Sequence, residues 1–104
     1  MGNNMDRLRR SAESFRERIL KLGADAADRW IGRCSDIGEL TKAAHGYEVS
    51  QEYIDDEWAE CQTDAFIEEF GGVPDYDLFI QGFYERLEER KQELLDMIEQ
   101  LLSV

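Results

Sequence analysis

Residues 77–102 read DLFIQGFYERLEERKQELLDMIEQLL, and this stretch decides the fold. Its apolar side chains recur at alternating steps of three and four, which is the seam of a long helix that packs on another helix. The seam comprises Ile80, Phe83, Leu87, Arg90, Leu94, Met97 and Leu101. Such a helix is about 25 residues and roughly 37 Å long. Because a small core needs less, we expect part of it to pack on a partner or in a homodimer.

The residues just before this helix supply a break and a cap. The GGVP segment at 71–74 ends the preceding helical pattern, and Asp75 or Asp77 can act as the N-cap. Arg90 takes a seam position that is ordinarily apolar. We therefore expect Arg90 to fix the register of the helix or to pair with a carboxylate on the helix that faces it.

Helical spacing runs through the rest of the chain. It predicts an all-α fold, a small bundle of four to five helices that forms one domain over residues 1–104. The first helix, over residues 5–22, is expected to pack antiparallel to the C-terminal helix and to end at Gly23 as its C′ residue. Its seam residues are Met5, Leu8, Ala12, Phe15, Ile19 and Leu22.

The arginines of the first helix lie off its seam and allow two interpretations. They are typical of a helix that binds a membrane surface or RNA, or of one that meets the protein's own acidic helices. Residues 1–22 hold six bases against three acids, and this small surplus favours the second interpretation. A short second helix is expected over residues 25–33. A third opens at Asp36, where Glu39 completes the form of a capping box, and it ends at Gly46.

The fourth predicted helix, over residues 51–70 with Ser50 as N-cap, lies in a strongly acidic stretch. Ala43–Glu85 carries twelve carboxylates and no Lys or Arg in 43 residues, yet it also holds nine aromatic residues. That much apolar surface indicates a folded segment whose charge is held on a structured surface. One stripe of the helix is apolar, with Ile54, Trp58, Cys61, Ala65 and Phe66. Another carries an acid at every fourth residue, Glu52, Asp56, Glu60 and Asp64.

The charge of the chain restricts its partners. The net charge is -12, and the 82 residues after residue 22 hold six bases against 21 acids. Phosphates and carboxylates repel each other, so we expect no direct binding of nucleic acid. A basic protein surface is a better partner. The absence of a secretory h-region and of an apolar run of about 18 residues predicts a cytoplasmic protein with no membrane segment.

No catalytic or metal site is predicted. His45 is the sole histidine, and Lys42 stands where a Glu-x-x-His motif of a di-metal site would need glutamate. A calcium loop starting at Asp75 would have Ile80 at its glycine position. Cys34 and Cys61, 27 residues apart, are expected to be reduced and buried, with a disulfide as the alternative. We therefore predict neither enzyme activity nor a cofactor.

Residues 11–56 contain short motifs in a recognisable order: Ser14-Phe15, Ser35-Asp36-Ile37, Leu40 with Lys42-Ala43-Ala44, Gly46-Tyr47 and Val49-Ser50-Gln51-Glu52. In this order they resemble the Nif11-type domain of peptide leaders, although His45 is an extra residue within the turn. The resemblance implies a helix, an Ala-Gly-aromatic turn and a Ser-capped helix. In size and composition the chain also resembles small phage-encoded inhibitors, including anti-CRISPR proteins.

The leading functional hypothesis is a non-enzymatic protein that binds the basic surface of a nucleic-acid-binding protein. Carboxylates at helical spacing can imitate the regular charge of a nucleic-acid backbone and block the partner's binding site. The residues expected to make this contact are Glu52, Asp55, Asp56, Glu60, Asp64, Glu68 and Glu69. The alternative is a regulatory or leader-recognition domain of the Nif11 kind, which would bind a peptide or enzyme in an apolar groove.

Overall fold

The computed structural model describes residues 2–46, 51–70 and 76–103, and every regular element in these ranges is an α-helix. In chain order the helices are α1 (Gly2–Gly32), α2 (Ile37–His45), α3 (Gln51–Cys61), α4 (Asp64–Phe70) and α5 (Tyr76–Leu102). The all-α fold and the long C-terminal helix packed on α1 are confirmed. The molecule is elongated, measuring 63 × 28 × 18 Å.

α1 and α5 form the main packing interface, and their backbones meet where each helix contributes a glycine. A Cβ placed on Gly23 would lie 2.0 Å from the carbonyl oxygen of Phe79. One placed on Gly82 would lie 2.1 Å from the carbonyl oxygen of Leu20. Both distances are far inside van der Waals contact, so only glycine permits this approach. We call this contact the glycine crossing.

The two long helices run parallel, and the antiparallel arrangement expected from the sequence is wrong. Leu20 lies beside Gly82, and eight residues further along α1 Asp28 pairs with Arg86 and Arg90. The end of α1 then lines a groove together with the last two turns of α5. Residue numbers therefore rise together along both helices. A heptad seam identifies the face of a helix and carries no information on the direction of its partner.

α1 is one continuous helix where the sequence predicted two, over residues 5–22 and 25–33. Gly23 was expected to end the first of these as a C′ residue, and it lies in the interior of α1 instead. Gly46 is the one glycine with positive φ among the described residues, at 66°. The sequence alone does not distinguish a glycine that permits close helix packing from a glycine that ends a helix.

The predicted fourth helix, over residues 51–70, is in fact two helices, α3 and α4. Gln62 and Thr63 separate them, and the Thr63 hydroxyl accepts a hydrogen bond from the Phe66 N–H at 3.1 Å. Thr63 thus caps α4, and Asp64 in its first turn favours the same start. Because the chain turns at this point, Ala65, which was expected on the buried stripe, is exposed.

The predicted limits of α2 are confirmed. The Asp36 side chain accepts a hydrogen bond from the Glu39 N–H at 2.8 Å, and Gly46 closes the helix in the left-handed region. The Glu39 carboxylate in turn accepts from the Ser35 N–H at 2.8 Å, one residue before the position of an ordinary capping box. Ser50 and Asp75 lie outside the described residues. Asp77 is the second residue of α5 and so does not cap it.

The core follows the two long helices and ends abruptly at the N-terminal side of α1. Its largest fully buried side chains are Phe79, Phe83, Ile19, Ile54 and Leu94. Residues 4–14 of α1 are all exposed, and we call them the N-terminal arm. Met5, Leu8 and Ala12 were expected in the buried seam, and that expectation is wrong. α5 crosses α1 at residues 20–23, through Phe79 and Gly82, and no described element covers the arm.

A cluster of charges joins α1 to α5 beyond the glycine crossing. Arg86 Nε donates to Asp28 Oδ1 at 2.9 Å, and Arg90 donates to the same oxygen at 3.1 Å. Burial opposes the ionised form of Asp28, but these two hydrogen bonds outweigh it and lower its pKa. Arg90 also binds Glu93 at 2.9 Å. The expected pairing of Arg90 with a facing carboxylate is therefore confirmed.

We expect Gly23→Ala and Gly82→Ala to destabilise the protein by about 1–3 kcal/mol each, because the added methyl group forces the backbones apart. Gly32→Ala is the matched control, since a Cβ there meets nothing within 4 Å. Its effect should lie between neutral and about 1 kcal/mol stabilising, from helix propensity. Urea unfolding followed by circular dichroism measures all three, and equal stability of Gly23→Ala and Gly32→Ala would contradict the close crossing.

The lowered pKa of Asp28 predicts a pH dependence of stability. The contribution of this carboxylate is complete well above its ordinary pKa of 3.8 and is lost as the pH falls through the lower folded-state value. Asp28→Asn should therefore be less stable than the wild type near pH 7, and the difference should shrink towards about pH 3. Urea unfolding at both pH values tests this, and a difference that stays constant would exclude the linkage.

Candidate interaction surface

α3 has one face turned to α1 and α5 and one turned to solvent. Ile54 and Glu57 are buried on the inner face, and Trp58 packs on Phe79 with ring centroids 5.1 Å apart. The outer positions hold charged residues at steps of four, Glu52, Asp56 and Glu60, and all three are exposed. The predicted division of this helix into an apolar and an acidic stripe is therefore present within Gln51–Cys61.

One acid on α3 faces inward and orients the helix. Glu57 is 3% exposed, and its Oε2 accepts two hydrogen bonds from Arg29 of α1, at 2.6 and 3.1 Å. This pairing raises the pKa of Arg29 and keeps a buried carboxylate satisfied. Tyr53, one turn earlier, donates to the Ala26 carbonyl at 3.3 Å. Burial, with the Glu57 charge as the next cause, raises the pKa of Tyr53 to about 12.

Asp55 is the one exposed acid of α3 that is held in place by neighbours. It accepts hydrogen bonds from the Tyr76 hydroxyl and from Gln51 Nε2, the latter at 3.0 Å. The bond from Tyr76 is the main reason that the pKa of Asp55 is lowered. Asp55 therefore remains ionised at neutral pH, and its contact with Tyr76 ties the first turns of α3 and α5 together.

α4 continues the acidic surface along α1. Glu69 forms an ion pair with Arg18, and both side chains are about half exposed, at 48% and 51%. Arg18 precedes Arg29 by eleven residues, about 16 Å along the helix. The Glu57 and Glu69 contacts thus lay α3 and α4 along the same side of α1. Asp64 and Glu68 on α4 are exposed.

All seven acids predicted for partner binding are exposed, on two consecutive helices, and we call them the acidic surface: Glu52, Asp55, Asp56, Glu60, Asp64, Glu68 and Glu69. Of these, Glu69 is neutralised by Arg18 and Asp55 is hydrogen-bonded. The other five form no hydrogen bond and no ion pair with the described residues. The arginines that the structure describes therefore leave most of this charge uncompensated.

The sequence did not single out Glu57 or Arg29. A signal was present, because Glu57 lies three residues after Ile54 and four before Cys61, on the inward side of the helix. In a stretch with acids at five of the positions 52–60, this inward one cannot be told from its neighbours by composition. Its role emerges only when Arg29 is placed opposite it.

The described residues contain no group of three or more His, Cys, Asp or Glu side chains that could hold a metal ion. Cys34 and Cys61 are free and only half-buried, and burial raises the pKa of both thiols, which disfavours the reactive thiolate. None of the described helices is long and apolar enough to cross a bilayer.

Of the clefts in the described part of the chain, which measure from about 290 to about 500 Å³, two bear on the binding of a partner. The first, about 340 Å³, lies beside the aromatic rings of Trp30 and Tyr53 and includes Arg33 and Lys42. The second, about 500 Å³, lies between the end of α1, the start of α2 and the last two turns of α5. We call the second the terminal groove. Neither contains a residue of the acidic surface.

Comparison of the chain with protein-family models, with curated proteins and with solved structures gave no match.

The buried Glu57 predicts an asymmetric response to mutation. Arg29→Met should destabilise the protein by about 1–3 kcal/mol, because it leaves a buried carboxylate without its donor. The double variant Arg29→Met/Glu57→Leu should recover most of that loss. A double-mutant cycle by urea unfolding should give a coupling energy of about 1 kcal/mol or more. Additive effects of the two substitutions would show that the pair does not orient α3.

Proposed function

We propose that this protein is a non-enzymatic inhibitor whose acidic surface binds the basic surface of a nucleic-acid-binding protein. The observation that carries the proposal is that five of its seven carboxylates are exposed and uncompensated among the described residues. Like charges at i, i+4 cost a few tenths of a kcal/mol per pair within a helix. A basic partner offsets this cost, and the described neighbours on the chain do not.

The spacing of the acids on α3 is similar to the spacing of phosphates along a nucleic-acid strand. Glu52, Asp55, Asp56 and Glu60 are the exposed acids of α3. They cover eight residue steps, about 12 Å of helix, or about one charge per 4 Å. One strand of DNA carries a phosphate about every 3.4 Å along its axis. A groove of arginines and lysines that accepts a nucleic-acid strand can therefore meet a similar row of charges on α3.

The exposed acids of α3 are also held on a rigid helix, which favours binding. Glu57 fixes the rotation of α3 through Arg29, and Asp55 joins α3 to α5 through Tyr76. The exposed acids are thus presented on a helix that is anchored at two points. Preorganised charges lose little conformational entropy on binding. The surface acts by steering the partner at long range and by excluding its nucleic acid.

We expect the triple variant Asp56→Lys/Glu60→Lys/Asp64→Lys to lose binding to the partner. The immobilised wild type should retain a nucleic-acid-binding protein from host lysate, and added duplex DNA or RNA should release it. Retention should fall steeply between about 50 and 200 mM salt, because the contact consists of exposed charges.

The matched control is a triple variant with the same change of net charge on α1 and α5, Glu17→Lys/Glu85→Lys/Glu88→Lys. These acids are also exposed, but they lie outside the acidic surface. The control should retain the partner. That result would show that binding depends on the location of the negative charge and not on the net charge of the protein. Unchanged retention by the Asp56, Glu60 and Asp64 variant would contradict the proposal, as would a captured protein that nucleic acid does not displace.

The Trp30–Tyr53 cleft supports a second candidate function, the recognition of a peptide or enzyme by a regulatory domain of the Nif11 kind. Trp30 is partly exposed there, and the cleft lies apart from the acidic surface. Binding that centres on the aromatic rings of this cleft would depend less on salt than binding by the acidic surface, and it would be lost in Trp30→Ala. The two candidates are therefore separated by the salt series together with Trp30→Ala.

A further inference from the structure

The N-terminal arm carries an apolar helical stripe that no other described residue covers. Met5 is 53% exposed and Leu8 is 63% exposed, and both lie on the seam that the sequence marks for helix packing. Beyond residue 14 the same seam is covered, since Ile19 is fully buried. The arm thus has the pattern of a packed helix, and the described part of the chain offers nothing for it to pack on.

The terminal groove shows the complementary features at the opposite end of the molecule. Its floor is apolar, with Ile31, Ile37 and Leu40, and its outer wall is Met97 and Leu101 of α5. Those two wall residues are 39% and 55% exposed. The groove is about 500 Å³, enough for a few large side chains, and Asp36 lies at its edge.

The arm cannot reach the groove of its own chain. Ile31 in the groove and Leu8 in the arm belong to the same helix, α1, and are 23 residues apart. A helix rises about 1.5 Å per residue, so they are separated by about 35 Å. Any arm that fills this groove belongs to a second copy of the chain.

Charge favours this contact. The arm carries Arg7, Arg9 and Arg10 against Asp6 and Glu13. The segment 92–103, which includes the wall residues Met97 and Leu101, carries three acids and no base, and one of these acids, Glu93, is paired with Arg90. An arm that packs its apolar stripe into the groove therefore brings its arginines to an acidic rim, where opposite charges attract.

We propose that the protein forms a homodimer in which the arm of each copy occupies the terminal groove of the other. Two copies that lie side by side in opposite directions can place each arm in the groove of the other copy. Both contacts form at once because the arm and the groove are the same distance apart in each copy. The contact is then repeated about a two-fold axis and closes as a dimer. In each contact, Met5 and Leu8 of one copy insert beside Met97 and Leu101 of the other. Within each copy, the glycine crossing fixes the distance between the arm and the groove.

Sedimentation velocity over about 1–100 µM tests the dimer. The wild type should sediment with twice the 12.1 kDa mass of the chain. Leu8→Glu in the arm and Leu101→Glu in the groove should each raise the dissociation constant of the dimer at least about tenfold. Each substitution places a buried charge in both of the equivalent arm–groove contacts. Ser14→Glu and Gln92→Glu add the same charge at exposed positions off the two seams and should leave the dimer intact.

Mixing the two defective variants distinguishes this contact from other interfaces. The Leu8→Glu chain keeps an intact groove and the Leu101→Glu chain keeps an intact arm, so a mixture restores one of the two contacts. It should associate more strongly than either variant alone. Met5→Glu and Met97→Glu provide a second pair if either of the first variants loses its helical circular dichroism.

Three results would overturn the proposal. The first is a wild type that is monomeric at about 100 µM, a concentration at which even a weak interface of this kind associates. The second is a dimer that is lost in one of the two variants and not in the other, which would indicate an arm–arm or an α5–α5 contact. The third is a mixture that associates no better than its components, which would show that arm and groove do not meet.

Discussion

The glycine crossing of α1 and α5 is the constraint on which the rest of the structure depends. With a backbone oxygen about 2 Å from each absent Cβ, Gly23 and Gly82 bring the two longest helices closer than any other residue would allow. The crossing sets their relative position along the axis. It thereby places Asp28 between two arginines of α5 and leaves the first three turns of α1 beyond the start of α5. The exposed arm and the groove at the other end are both consequences of this alignment.

The orientation of α3 depends on the same framework. α1 presents Arg29 beside α3, and the one acid that turns inward to meet it is Glu57. Rotation of α3 would break the hydrogen bonds between Arg29 and Glu57 and would bury a different residue in place of Glu57. The free-energy cost of breaking this pair fixes the rotation of the helix. Glu52, Asp56 and Glu60 then face solvent. The pairing of buried Glu57 with Arg29 therefore decides which acids of α3 belong to the acidic surface.

Sequence reasoning succeeded where the physical signal is local. The cap at Asp36, the left-handed Gly46, the long seam of α5 and the exposed acids of α3 all follow from spacing within one segment. It failed where the deciding partner is distant in the chain. Gly23 has the appearance of a helix end until Phe79 is placed opposite it, and a seam gives no direction, so the parallel packing could not be read. Thr63 was a local signal that the continuous apolar stripe around it obscured.

The distance between spin labels at Ser11 and Gln100 is the most direct test of the parallel crossing. Labels are attached after Ser11→Cys and Gln100→Cys in a background of Cys34→Ser and Cys61→Ala, and excess unlabelled protein suppresses distances between copies. With Leu20 beside Gly82, parallel helices place the two labels about 40 Å apart. A double electron–electron resonance distance near that value supports the crossing. Antiparallel packing about the same point would give about 20 Å, and that result would contradict the parallel crossing and everything that it positions.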